Sequence, residues 1–162
     1  MEADSRRFPT GAIVTQREPN TFSCAIDRDG AIKMSFLGFP APPRLLPPLI
    51  APDNGLQIAS LLDLAATKSA VVQMRAEAKD YLDIDALLTD GRVDLRNALA
   101  AGRAIYGASF NPQITLKAIS YFEDGDLPRL PQPVKDRLAK AAREVDLEHL
   151  PMITVSESRR RR

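Results

Sequence analysis

A proline-rich segment divides this chain into two parts with different hydrophobic periods. Residues 40–52 hold six of the thirteen prolines of the sequence. Because proline fixes φ and lacks a backbone donor, this segment is predicted to be an extended connector. Apolar residues recur at every second position before the connector and at helical spacing after it. We therefore expect a β part followed by a helical part.

Two segments before the connector alternate between apolar and polar residues, Thr21–Ile26 and Ala31–Leu37. The polar turn Asp27–Gly30 separates them, which predicts an antiparallel hairpin. Gly11–Gln16 is a candidate for a further short strand. Cys24 falls on the apolar face, so a buried core thiol is favoured over a nucleophile. The Asp-x-Asp of the turn resembles a metal-binding pair, but the turn explains both aspartates without a metal.

The segment after the connector predicts a bundle of about five helices. Ser60 followed by Asp63 has the spacing of a capping box and begins the first helix, and Asn111-Pro112 is typical of another helix start. The fold class is therefore α+β, an antiparallel hairpin or partial sheet followed by a helical bundle. The predicted organisation is a β segment with its connector at 11–59, a helical domain at 60–150, and tails at 1–10 and 151–162.

Composition narrows the cellular setting more than it narrows the function. The formal net charge is +1, which gives no general argument for binding nucleic acid or a membrane. One cysteine and one histidine exclude a disulfide within the chain and make a Cys/His zinc site improbable. The first ten residues lack the apolar region of a signal peptide. We expect a cytoplasmic protein without membrane segments.

The stretch Ser60–Leu88 carries charged side chains where apolar ones are expected. Lys68 lies on the apolar stripe of the first helix, and Arg75 follows two turns later on the same side. An unpaired charge on a buried face costs several kcal/mol. Asp80 and Asp83 are the nearest carboxylates in sequence, so the stretch predicts a cluster of cations and carboxylates in or beside a core.

The cluster has a chemical and a structural interpretation, and the residue pattern alone leaves both open. An inward lysine suits a phosphate, and a carboxylate beside it could hold that lysine or bind a metal on a nucleoside triphosphate. Alternatively, a buried ion-pair cluster locks two helices together, or Asp80 is an N-cap and Asp83 a first-turn acid favoured by the helix dipole. The sequence contains neither a glycine-rich phosphate loop nor Gly-x-Ser-x-Gly.

The stretch also resembles a known family. The block D-L-A-A-T-K-S-A-V-V-Q-M-R-A-E-A-K-D-Y-L-D-I-D-A-L-L is similar to the abortive-infection nucleotidyltransferase toxins of the AbiEii/AbiGii type. Their hallmark is a helix with an inward lysine followed by R-x-x-x-K-D-x-x-D-L. The segments I-K-M-S-F-L-G-F and N-P-Q-I-T-L-K-A-I-S-Y-F-E-D are similar as well, so the resemblance covers about Thr21 to Leu150.

The resemblance implies a nucleotidyltransferase core and a helical domain. The implied reaction transfers a nucleotide from a nucleoside triphosphate to an acceptor, RNA in several members, with Mg²⁺, and the implied partner is a cognate antitoxin. By position, Lys68 would contact the triphosphate, with Arg75 and Lys79 as supporting cations. Asp83 would be the catalytic carboxylate, and Asp80 would share or support that role.

One part of the family pattern is absent from the sequence. The family carries Gly-Ser and, roughly ten residues later, Asp-x-Asp on a strand, whose carboxylates hold the metal. This chain has no Gly-Ser; the Asp-x-Asp at Asp27–Asp29 is a turn, and Asp83-x-Asp85 is helical. We therefore expect the rear half of the architecture, inactive unless an upstream polypeptide supplies the front. The alternatives are a non-catalytic remnant that binds nucleotide, RNA or antitoxin, and a fragment without a selected function.

Overall fold

The computed structural model describes residues 11–38 and 42–155. These residues form five β-strands and five α-helices: β1 Ile13–Glu18, β2 Thr21–Asp27, β3 Ala31–Leu37, β4 Leu49–Ile50, β5 Gln57–Ile58, α1 Leu61–Val71, α2 Ala78–Thr89, α3 Leu95–Tyr106, α4 Pro112–Ala118 and α5 Gln132–Glu144. Strands followed by helices confirm the predicted α+β class. None of the helices in this part of the chain has the length and apolar character to cross a bilayer.

The chain divides into two compact units, Met1–Ala41 and Pro42–Arg162. The described part of the first unit is an antiparallel sheet of order β1-β2-β3. Cys24 pairs with Val14 on one side and Met34 on the other, and it is buried as predicted. The hairpin turn is also confirmed. Its Gly30 takes a φ of 134° and donates its N–H to the Asp27 carboxylate at 3.2 Å, so the turn accounts for this aspartate.

In the second unit, β4 at the end of the connector pairs with β5 in a short antiparallel ladder. The predicted start of α1 at Ser60 is confirmed, since the Ser60 hydroxyl accepts from the Asp63 N–H at 3.0 Å. The Asp63 carboxylate also accepts from the backbone N–H groups of Leu45 and Leu46, at 2.8 and 3.3 Å. The Asp63 carboxylate accepts from the Ser60 hydroxyl as well, at 2.6 Å, so it links the N-cap of α1 to the connector.

The helical core forms around three fully buried side chains, Leu99, Ile119 and Leu138. Helix α4 ends at Ala118, whereas the apolar positions from Ile114 onward predict a helix that runs through Phe122, so the predicted helix was too long. Instead of continuing the helix, Phe122 packs edge-on against Tyr81 with ring centroids 6.3 Å apart. The chain from residue 119 to 126 thus leaves the helical path and lies over the start of α2.

The sequence predicts that Leu61, Leu64 and Ala65 lie on the inward stripe of α1, and this prediction was partly wrong. Leu61 and Leu64 are 49% and 37% exposed, whereas Ala65 and Ala66 are buried. The physical reason is close helix packing, because Ala66 meets Ala101 of α3 and both are fully buried. Small side chains let two helix backbones approach each other, so the larger leucines remain outside this contact.

Candidate functional site

The end of α1 and the start of α2 bring Lys68, Asp80 and Asp83 together. The Lys68 Nζ lies 2.9 Å from Asp80 Oδ1 and also pairs with Asp83 Oδ2. Asp80 and Asp83 are three residues apart on α2, so their side chains share the face that meets α1. The sequence-based prediction of a cation–carboxylate cluster is confirmed in this respect.

Arg75 completes the cluster from outside the helices. Helix α1 ends at Val71, so Arg75 lies in the loop before α2 rather than two turns along α1 as the sequence suggested. Its Nε donates to Asp80 Oδ2 at 2.8 Å, while its Nη1 lies 3.3 Å from Glu77. Both oxygens of Asp80 therefore have a cationic partner.

Burial separates the two aspartates of the cluster. Asp80 is completely buried, whereas the side chain of Asp83 is 51% exposed. The N-cap residue of α2 is Glu77, so the interpretation of Asp80 as an N-cap was wrong. Asp80 is an internal anchor for two cations, and Asp83 is the carboxylate that solvent or a ligand reaches.

The pKa values of the cluster shift toward the charged forms. Burial alone would raise the pKa of Asp80, but hydrogen bonds from Arg75 and Lys68 outweigh burial and lower it. Burial alone would lower the pKa of Lys68, but hydrogen bonds to Asp83 and Asp80 raise it above its ordinary value. The carboxylate and the ammonium are therefore ionised at neutral pH, and the cluster is a network of full charges.

Lys79 is linked to this network only through Glu77, which also pairs with Arg75. Its Nζ lies 2.7 Å from Glu77, and its side chain is 66% exposed. It belongs to the same helix start but does not touch Asp80 or Asp83 in the described contacts. Its predicted role as a supporting cation stays a prediction.

The cluster is formally neutral, since Lys68 and Arg75 balance Asp80 and Asp83. It is thus not an open basic pocket. A phosphate would have to take Lys68 from one of its carboxylates, and Asp83, half exposed, is the one nearer to solvent. Among the described residues, no group of three or more His, Cys, Asp or Glu side chains is arranged to hold a metal ion.

A cleft of about 230 Å³ adjoins the cluster at Arg75. Residues 72–76 form one wall, and Tyr81 together with residues between Ala118 and Leu127 forms the other. The sequence analysis did not predict this cleft, because its second wall comes from the segment after α4, more than forty residues away along the chain. An Asp-x-Asp at Asp124–Asp126 stands in this segment, but the sequence does not indicate which residues it contacts.

The segment between α4 and α5 is fixed against the loop that carries Arg75. The Ala78 N–H donates to Asp126 Oδ1 at 2.7 Å. Gly125 has a φ of 56°, and its Cα faces the Ala76 carbonyl so closely that no Cβ would fit. These contacts define the width of the cleft.

A larger cavity, about 560 Å³, lies between the end of α2, the start of α3 and the end of α5. It contains none of the predicted site residues. Near this end of the bundle, Arg137 of α5 holds the buried Asp85 of α2 by two hydrogen bonds of 2.7 and 2.5 Å. Size alone therefore does not locate the site, and the charged network favours the smaller cleft.

Comparison with known families agrees with the motif at α1 and α2. The model of the nucleotidyl transferase AbiEii toxin, type IV toxin–antitoxin system, matches residues 6–153. Searches of curated proteins and of solved structures gave no match. The matched segment includes the whole cluster and cleft, and a type IV system implies an antitoxin partner. The chain belongs to the AbiEii family of nucleotidyl transferase toxins.

Proposed function

We propose that this chain supplies the triphosphate-binding wall of a nucleotidyltransferase toxin. The observation that carries the proposal is Lys68, a partly buried lysine held between a buried and an exposed carboxylate. A lysine of this kind is a positioned point charge for a phosphate group. Asp80 positions Lys68 and Arg75, and Asp83 leaves Lys68 when the phosphate arrives.

The expected substrate is a Mg²⁺ complex of a nucleoside triphosphate, with RNA as the acceptor. The described residues do not fit a Mg²⁺ site by themselves, because Asp80 is engaged by two cations and Asp83 has no second carboxylate ligand beside it. We propose that the metal-binding Asp-x-Asp comes from another polypeptide encoded upstream. On its own the chain then binds nucleotide but transfers little or none.

Titration calorimetry with ATP, GTP, CTP and UTP tests the binding half of this proposal. We expect Lys68→Met to weaken triphosphate binding at least about tenfold, because a charge-assisted contact to phosphate is lost. Lys140→Met on α5 is the matched control, since Lys140 is exposed and pairs only with Glu144 in the described contacts. Equal binding by wild type and Lys68→Met, or no triphosphate binding at all, would refute the proposal.

A transfer assay tests the second half. The chain is incubated with labelled triphosphate, Mg²⁺ and tRNA, alone and with the product of the neighbouring upstream reading frame. We expect incorporation only in the combined reaction. Robust, Lys68-dependent incorporation by the chain alone would show that the metal-binding front is not required from elsewhere.

A second candidate is a non-catalytic protein that binds nucleotide or antitoxin. It is favoured by the neutral, fully paired state of the cluster, which suits a structural lock as well as a substrate site. Triphosphate binding that does not depend on Lys68, with no transfer in the combined reaction, would support this candidate.

A further inference from the structure

We propose that two copies of this chain associate through an apolar surface where the proline-rich connector leads into α1. The inference goes beyond the proposed function and does not depend on triphosphate binding. Six large apolar side chains of the second unit form this surface, and each is between 37% and 64% exposed. We call it the apolar patch, and its members are Leu46, Leu49, Leu56, Ile58, Leu61 and Leu64.

The β4-β5 pair supplies the centre of the apolar patch. Leu49 lies opposite Ile58 in the antiparallel register, and the Ala51 N–H donates to the Leu56 carbonyl at 2.8 Å. Side chains alternate between the two faces of a strand, and directly opposite residues share a face. Leu49, Leu56 and Ile58 therefore project from the same face of the pair.

The start of α1 extends the apolar patch. Strand β5 ends at Ile58 and α1 begins at Leu61, so only two residues separate them. Leu61 and Leu64 are three apart on the helix and lie on one side of it. The Leu46 N–H donates to the Asp63 carboxylate at 3.3 Å, which holds this leucine at the same helix start. The six side chains thus belong to one region of the second unit.

The area of the apolar patch is close to that of a dimer interface. A leucine or isoleucine that is about half exposed presents on the order of 100 Å², so six present roughly 600 Å². The largest apolar patch on a typical monomer covers about 300–600 Å². A stable complex buries about 800 Å² per partner, and the exposed Pro47 and Pro52 beside β4 add apolar area. Two patches in contact give an interface near the lower limit of standard size, so we expect a dissociation constant in the micromolar range.

The composition of the apolar patch favours a second copy over a charged partner. From residue 45 to residue 62 the only charged residue is Asp53. A nucleic acid, or an acidic or basic peptide, would meet no complementary charged surface there. A two-fold contact sets the same surface against itself, and an uncharged apolar surface is complementary to its own copy. Prolines before and after β4 remove backbone donors, so the copies meet through side chains rather than by pairing strand edges.

Analytical ultracentrifugation of the full chain, from about 1 to 200 µM, tests this inference. We expect a monomer–dimer equilibrium. Leu49→Lys should weaken the dimer at least about tenfold, because it places a charge in an apolar contact. Leu56→Lys is a second variant with the same expected result, at a side chain that is 64% exposed. The matched control is Ile114→Lys on α4, which is 45% exposed and lies outside the apolar patch, so the dissociation constant should not change.

Far-ultraviolet circular dichroism identifies the variants that are folded and can be compared. A discrete dimer that the folded patch variants weaken and Ile114→Lys retains supports the inference. A monomer at 200 µM would overturn it and indicate that another protein, or another part of this chain, covers the apolar patch. Irregular aggregates without a discrete dimer, or a dimer that a folded patch variant leaves unchanged, would overturn it as well.

Discussion

Asp80→Asn should destabilise the helical unit strongly, although the two side chains have nearly the same size and shape. The substitution removes the negative charge that both Lys68 and Arg75 contact, at 2.9 and 2.8 Å. A hydrogen bond to a charged group contributes about 1.5–3 kcal/mol to stability. Both cations are partly exposed and keep Asp83 and Glu77 as partners, so the lower figure applies to each bond. We expect a total loss of about 3 kcal/mol from a stability of about 5–15 kcal/mol.

Urea denaturation followed by the far-ultraviolet helix signal measures this loss. With an m-value of about 1–3 kcal/mol/M, the midpoint should fall by about 1–3 M while the slope is unchanged. The matched control is Asp136→Asn, which affects an exposed carboxylate bonded to Gln132 and should change stability by less than about 0.5 kcal/mol. If Asp80→Asn behaves like the control, the cluster does not stabilise the α1–α2 junction and the anchoring role of Asp80 is wrong.

The pH dependence gives an independent check on the same residue. The pKa of Asp80 is lowered in the folded state, so the stability it contributes is fully present above the unfolded pKa of about 3.9. As pH falls below that value toward the lower folded pKa, the contribution is progressively lost. The difference in unfolding free energy between wild type and Asp80→Asn should therefore be constant near neutral pH and shrink in acid. A difference that grows as pH falls would contradict the assigned direction of the shift.

Two further predictions concern Gly125, which contacts the loop before α2, and the exposed carboxylate of Asp83. Gly125→Ala should lower stability and narrow or distort the cleft, because φ is positive and the new Cβ would meet the Ala76 carbonyl. The control is Gly107→Ala, where φ is also positive but the space is open, so this variant should show the backbone strain alone. Equal urea midpoints for the two variants would contradict the prediction. Asp83→Asn should tighten triphosphate binding in calorimetry, since it frees the lysine that a phosphate needs, and weaker binding would instead make Asp83 a direct ligand of the substrate complex.

The cluster was predictable from sequence because its spacing is local. Asp80 and Asp83 lie three apart on one helix, and Lys68 precedes them on the neighbouring helix, so periodicity placed them face to face. Arg75 was correctly assigned to the carboxylate cluster, but the reason given, a position on the same side of α1 as Lys68, was wrong. It reaches Asp80 from a loop, and no periodicity argument applies beyond Val71.

The cleft was not predictable because tertiary contacts create it. Tyr81 lies in α2 and Asp124 follows α4, so the two residues are far apart in the sequence. Their common cleft depends on Asp126 meeting Ala78 across forty-eight residues. A single sequence gives no signal for such a pairing. The exposure of Leu61 and Leu64 has a similar origin, since close packing of alanines decides which face of α1 is inside.

The different burial of Asp80 and Asp83 determines what the cluster can do with a phosphate. A neutral cluster attracts an anion only after one ion pair opens. Opening the pair with Asp80 would leave a fully buried carboxylate with one cation, a change of the kind that costs several kcal/mol. Opening the pair with half-exposed Asp83 costs less, because water replaces the lost contact on the Asp83 carboxylate. In the proposed site, a phosphate would therefore displace Asp83 from Lys68 while Asp80 keeps the lysine in place. This asymmetry supports the proposed phosphate site, because such a site needs one ion pair that opens readily and one that holds the lysine.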